Sequence, residues 1–238
     1  MASKSKAREI AAKRLAAQRR RQRLVTGSVT GVIAVSLLVI AIVVGVVIYR
    51  TNSAAPAAAP AGTLAGITVG KASAAVKIDI YLDFMCPHCR AMEQEVGPTF
   101  DRYVRAGTVR VVYHPVAYLD DRSAGTRYST RASAASACAQ QAGTFDRFRA
   151  LLFDNQPAEG SAGLTDDRLV ALGRQAGATG ADFDRCVRDG RYTAWTTAIT
   201  DDASRHGVSA TPTVIVAGKA IDGPITPATL TAAIEAAK

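Results

Sequence analysis

VKIDIYLDFMCPHCRAME, from Val76 to Glu93, is the stretch that decides how this chain folds. Its first half alternates, with Val76, Ile78, Ile80, Leu82 and Phe84 on one face and Lys77, Asp79, Tyr81 and Asp83 on the other. Strand side chains point to opposite faces with a period of two, so this is a strand with one apolar side. The period then changes. Cys89, Met92, Val96, Phe100 and Tyr103 recur at steps of 3, 4, 4 and 3, the spacing of one helix face. The tetrapeptide CPHC, Cys86 to Cys89, therefore stands where a strand ends and a helix begins. Gly97-Pro98 is expected to kink or restart that helix, because proline offers no N–H to the ladder. A second strand follows at Thr108–Val116, TVRVVYHPV. Two strands joined through a helix make a βαβ unit with a parallel pair, an α/β signature.

A cysteine on the first turn of a helix faces unpaired backbone N–H groups and the positive end of the helix dipole. Both favour the thiolate, which is the nucleophilic form. Pro87 suits the first helical position, where its missing N–H costs nothing. His88, on the same turn, is expected to add a donor or partial positive charge beside the sulfur. A more stable thiolate stabilises the reduced pair, so the corresponding disulfide is a strong oxidant and Cys86 a good leaving group. Cys89, one turn further in, is expected to be less exposed and to resolve mixed disulfides. A zinc clip competes with this role, but structural zinc normally takes four ligands with a second close pair. Cys138 and Cys186 are 48 residues apart and form no second CxxC. A purely structural CxxC disulfide also fits such a junction; an oxidising compartment favours the redox role.

Downstream, residues 117–206 turn helical and Ala-rich, punctuated by Gly. Thr165 is expected to cap a helix, with Asp166 and Asp167 in its first turn and Leu164 stapling onto Leu169. The strand TVIV (Thr213–Val216), a turn at Gly218-Lys219 and a last helix from about Thr226 complete the plan. Just ahead of that strand, in HGVSATPTVIV, stands Thr211-Pro212. An X–Pro bond adopts the cis form for only about 0.5–1 kcal/mol, yet a trans turn is the default.

Upstream, charge and hydropathy separate sharply. The chain has 238 residues and a formal charge of +9. The first 23 residues hold nine Lys or Arg against one acid, Glu9, which leaves the remainder nearly neutral. A localised basic tail of this kind argues against nucleic-acid binding by the bulk of the chain. Behind it, Leu24 to Tyr49 runs 26 residues without a charge. As a helix it would reach about 39 Å, against roughly 30 Å of hydrocarbon. The apolar core of a cleaved signal peptide is about 7–15 residues, so a retained signal anchor is favoured, although Ala57-Ala58-Ala59 resembles a cleavage site. The basic flank belongs on the cytoplasmic side, against anionic lipid of the bilayer, and places the C-terminal bulk outside. Residues 50–62, including TNSAAPAAAPAG, read as an Ala/Pro linker to a domain spanning 63–238.

Taken together, VKIDIYLDF running into CPHC, the YHPV strand, the helical insertion and VSATPTVIV resemble the DsbA-like branch of the thioredoxin superfamily. The resemblance implies a thioredoxin fold with a helical insertion at about 117–206, preceded here by a single N-terminal transmembrane helix. It implies Cys86 as nucleophile, Cys89 as its buried partner, and Pro212 as a cis-proline packed against them. Thr211 would then offer backbone groups to an extended substrate. It further implies disulfide donation to exported proteins with free thiols and recycling by a quinone-linked membrane oxidase of the DsbB or vitamin-K-epoxide-reductase (VKOR) type. No cofactor beyond the Cys86–Cys89 disulfide and no metal are expected. One departure stands out: many thioredoxin-fold enzymes carry a buried acid six positions before the first cysteine, where this chain has Ile80. Asp79 and Asp83 fall on the opposite strand face by alternation, so the proton-transfer group for Cys89 is open. Cys138 and Cys186 can pack as free thiols, but their even count, the compartment and anchored relatives with a second disulfide favour a bridge. His114 is expected against the sheet, His206 at a helix end and Trp195 in the core of the insertion. An isomerase or reductase on the same fold is the alternative function. A thioredoxin-like copper chaperone fits less well, since CxxC is one residue short of the usual spacing.

Overall fold

The computed structural model describes residues 66–238; the basic tail, the apolar run 24–49 and the Ala/Pro linker lie outside these residues. Among the described residues no helix is long and apolar enough to cross a membrane. The central strand is β2 (Val76–Leu82), in which Val76, Ile78, Ile80 and Leu82 are wholly buried while Lys77 is exposed. It runs parallel to β3 (Val109–Pro115), with Ile78 opposite Val111 and Leu82 opposite Pro115. The connection between them is α1 (Pro87–Arg105). Its buried Cys89, Met92, Val96 and Phe100 form the apolar stripe anticipated from their spacing.

Helix α1 neither stops nor restarts at Gly97-Pro98. Pro98 and Gln94, four residues earlier, are both exposed. At an exposed position water can take the place of the missing N–H, which lowers the penalty that a buried break would carry.

Among the described residues the sheet has five strands in the order β1-β3-β2-β4-β5. Strand β1 (Ile67–Val69) adds antiparallel to β3 and was not foreseen, since three residues are too few to display a period. Strand β4 (Thr213–Val216) lies antiparallel to β2, and β5 (Lys219–Ala220) hairpins onto it. The hairpin turns at Ala217-Gly218, one position earlier than expected, with φ of 48° and 83°. Two successive positive φ values match the twist of the flanking strands. Helix α7 (Pro227–Ala236) closes the chain, opened by a reciprocal capping box between Thr226 and Thr229, and packs beside α1.

The register positions the site. Tyr81 pairs with Thr213, so the segment before β4 arrives at the same sheet edge as the end of β2. CPHC and Thr211-Pro212, remote in sequence, are brought together by strand pairing.

The insertion holds a short 3-10 turn (Asp120–Arg122), α2 (Tyr128–Gln141), α3 (Phe145–Asp154), α4 (Asp166–Ala176), α5 (Ala181–Arg188) and α6 (Thr193–Arg205). Helix α2 is its spine: Ala132, Ser133, Ala135, Ser136 and Ala139 are all buried, and small side chains let α3, α5 and α6 approach it. The Ser133 hydroxyl donates to the Pro115 carbonyl at 2.6 Å and accepts from Thr196 at 3.0 Å, tying the spine to the end of β3. Thr165 caps α4, its hydroxyl accepting from the Arg168 N–H. Where α4 meets α5, Gly173 sits under Phe183; a Cβ there would lie 2.0 Å from the ring. Cys138 of α2 and Cys186 of α5 form a disulfide with Cα atoms 5.9 Å apart. Trp195 is buried in the insertion, where it was expected.

Candidate functional site

The strand β2 ends at Leu82, and four residues carry the chain from there to the helix. Asp83 makes the turn: the Cys86 N–H donates to its carbonyl at 3.0 Å, and the Met85 N–H donates to its carboxylate at 2.8 Å. This is the Asx-type turn that an aspartate makes with its own backbone two residues on. Cys86 is then the N-cap of α1, in extended conformation (φ −74°, ψ 117°), and Pro87 follows in the first turn. The Cys86 side chain makes no capping bond, so the first N–H groups of the helix remain available to its sulfur.

Cys86 is 5% exposed and Cys89 is fully buried, and both are free thiols. The Cys86 pKa is lowered to about 5. The largest cause is the hydrogen bond from the Cys89 thiol; burial opposes it, while Thr211 and the backbone N–H groups of Cys89 and His88 assist. The Cys89 thiol is pushed well above the ordinary value, first by burial and then by its bond to Cys86 and the charge there. The Asp83 N–H points at the Cys89 sulfur at 3.4 Å. The arrangement splits one pair of like groups into an outer anion and an inner proton carrier, which is the division that disulfide exchange requires.

His88 serves differently from the expectation. Its side chain is exposed, and it is the main-chain N–H of His88 that helps to lower the Cys86 pKa. Thr211, remote in sequence, lies against Cys86. The Thr211-Pro212 peptide is cis, and the Cys86 thiol contacts the Thr211 carbonyl at 3.4 Å.

Asp83 corrects the sequence-based placement on an outward strand face. It lies one residue beyond β2, is fully buried, and holds three donors. Met85 N–H and the Ser129 hydroxyl (2.7 Å) reach one carboxylate oxygen, and the Leu119 N–H (2.9 Å) reaches the other. Alternation stops applying where the strand stops, and the Asp-Phe-Met-Cys turn was the signal that could have shown it. Burial lifts the carboxyl to about 6 against these donors, with the charge on Cys86 adding to the rise. Ile80 is plain core, wholly buried in β2.

The remaining histidines are structural in placement. His114 stacks on Tyr81 at 4.4 Å and meets the Asp79 carboxylate at 2.9 Å. Burial works to raise the Asp79 pKa, but hydrogen bonds from His114 and Lys77 outweigh it and hold the carboxyl below its ordinary range. His206 is exposed at the C-cap of α6. Among the described residues no group of three or more His, Cys, Asp or Glu is arranged to hold a metal.

A parallel pair bridged by a helix, a dithiol at that helix's tip and a threonine-proline segment beside it define a thioredoxin-fold dithiol protein. The thioredoxin family profile matches residues 63–236. Among solved structures, the reduced disulfide bond oxidoreductase DsbG of Mycobacterium tuberculosis superposes with a TM-score of 0.65 at 34% identity, covering 74% of this chain and 88% of that one. Oxidised DsbA of the same organism gives 0.63 at 34% identity, over 71% and 91% of the two chains. The serine/threonine-protein kinase PknE of M. tuberculosis is 34% identical over 158 residues, 62% of this chain; the match spans only 27% of the kinase. The chain belongs to the thioredoxin family and, within it, to the DsbA-like thiol:disulfide oxidoreductases.

Proposed function

We propose that this chain is a membrane-tethered, extracytoplasmic thiol:disulfide oxidoreductase that donates the Cys86–Cys89 disulfide to exported proteins carrying free thiols. The observation that carries the proposal is the split pair: Cys86 is held as a thiolate down to about pH 5, while Cys89 stays protonated far above it. Stabilising one thiolate of the reduced form lowers its free energy relative to the disulfide, so electrons run from client to enzyme.

In the oxidised enzyme a client thiolate attacks the Cys86 sulfur. The Cys86–Cys89 bond breaks, its electron pair leaves on Cys89, and a proton taken up there gives the buried thiol. A second client thiolate then attacks the client sulfur of the mixed disulfide. The client S–S bond forms and the Cys86 thiolate departs, stabilised by the Cys89 thiol and the first-turn N–H groups. The client has lost two electrons and the enzyme has gained them. Reoxidation falls to a quinone-linked membrane thiol oxidase of the DsbB or VKOR type. The tether is the apolar run 24–49, with the basic tail on the cytoplasmic face.

Equilibration of the full-length chain with glutathione tests the direction. The expected equilibrium is oxidising, near that of the strongest known protein oxidants rather than of thioredoxin. A strongly reducing value replaces disulfide donation by the reductase or isomerase role. Protease accessibility in intact cells tests the topology, and a protected C-terminal domain overturns it.

A further inference from the structure

Gln156 plays no part in the chemistry above, yet it touches the redox loop twice. It follows the end of α3, and its side-chain amide donates to the Phe84 carbonyl at 3.1 Å and the Cys86 carbonyl at 2.9 Å. Neighbouring bonds fix its place. The Gln156 N–H donates to the Phe153 carbonyl, Phe153 packs on Phe84 with ring centres 5.2 Å apart, and Arg168 of α4 holds the adjacent Asn155 side chain at 2.7 Å. The amide is therefore anchored by the insertion and directed at the loop that sets Cys86.

We propose that Gln156 is a positioning residue through which the helical insertion tunes the Cys86 thiolate. The physical basis is the partial negative charge on the Cys86 carbonyl, which belongs to the same residue as the sulfur anion. That carbonyl already accepts the Cys89 and Arg90 N–H groups at 3.1 and 3.2 Å. The Gln156 amide places a third donor on it. A negative charge forming on Sγ is repelled by a bare carbonyl and less repelled by one whose lone pairs face N–H groups. The contact thus stabilises the thiolate more than the thiol, and that difference shifts ionisation. The second contact, to Phe84, fixes the loop on the other side of Met85, so the donor cannot drift.

The inference rests on the redox role of Cys86 but reads out separately from it. The thiolate of the reduced full-length chain is titrated by its ultraviolet absorbance in wild type, Gln156→Met and Gln156→Glu. Methionine keeps the length and loses the donors; glutamate keeps the shape and presents acceptors to two carbonyls. The expected order of Cys86 pKa is wild type, then Met, then Glu, with the acidity of the methionine variant lowered on the order of five-fold, the size of one net hydrogen bond. Reaction of Cys86 with a small disulfide should slow by a similar factor below pH 5, where the thiolate is the minor form, and by progressively less as pH rises past 6. Thermal melts identify any variant that fails to fold, and the methionine variant then decides alone. Unchanged ionisation in a folded methionine variant overturns the inference, as does a glutamate variant no less acidic than wild type. If the order holds while glutathione equilibration is reducing, Gln156 stands and disulfide donation falls.

Discussion

Replacing Cys89 by alanine removes the largest stabiliser of the Cys86 thiolate while leaving the helix tip in place. The backbone N–H of residue 89 remains, as does that of His88, so the dipole and first-turn donors are unaltered. What is lost is the bond from the Cys89 thiol to the Cys86 sulfur. A hydrogen bond to a charged group is worth about 1.5–3 kcal/mol, and each pKa unit corresponds to about 1.4 kcal/mol. Cys86 should therefore rise from about 5 by about one to two units. Cys89→Ser is the control, because a hydroxyl keeps a donor at nearly the same point and should retain most of the depression. The assay is the pH dependence of thiolate absorbance, cross-checked by the rate of alkylation at each pH. If alanine and serine variants titrate together with the wild type, the inner thiol does not stabilise the outer anion and the helix tip acts alone. If the wild type itself titrates near an ordinary free cysteine, the account of Cys86 fails entirely.

The same ionisation sets how the redox equilibrium moves with pH. Between pH 5 and 9 the reduced pair carries one proton, so reduction takes up two electrons and one proton and the midpoint potential should fall about 30 mV per pH unit; below pH 5 the slope should double. A uniform slope through pH 5 refutes the assignment. The sign for stability follows too. A depressed Cys86 pKa adds stability to the reduced protein that is full above pH 9 and lost as pH falls through about 5. Asp83 works oppositely: its raised pKa means that stability present below its ordinary value of 3.8 declines as pH rises through about 6. Asp83→Asn should flatten that decline but, with one acceptor oxygen left for three donors, cost about 1–3 kcal/mol by chemical denaturation. Joint replacement of Cys138 and Cys186 by alanine, which opens a 48-residue loop, should cost on the order of 4 kcal/mol by loop entropy, with the Cys86 titration unchanged. Gly173→Ala should destabilise by about 1–3 kcal/mol, since the ring of Phe183 occupies the space of the new methyl group; an unchanged melting temperature would show that the ring moves aside freely.

The strand β2, the helix α1 and the dithiol between them could be read from local pattern. A period of two that becomes 3.6 leaves little choice of element, and a cysteine at the change of period sits at a helix tip whatever surrounds it. Caps were equally local: Thr165 acts within one turn of its own position. Strand β1 carried no such signal, and Pro98, whose pattern allowed a kink or a restart, stands at an exposed position inside a continuous α1.

What the linear order fixes here is the chemistry of the tetrapeptide and the side on which each strand is apolar, because both depend on neighbours a few residues away. The company that the sulfurs keep depends on contacts made across the fold. Register between β2 and β4 delivers Thr211 to Cys86, the packing of α2 delivers Ser129 to Asp83, and the end of α3 delivers Gln156 to the loop. Desolvation and hydrogen bonding, which separate the acidity of two otherwise equivalent thiols, arise only from that assembly, since neither exists until distant segments close over the site.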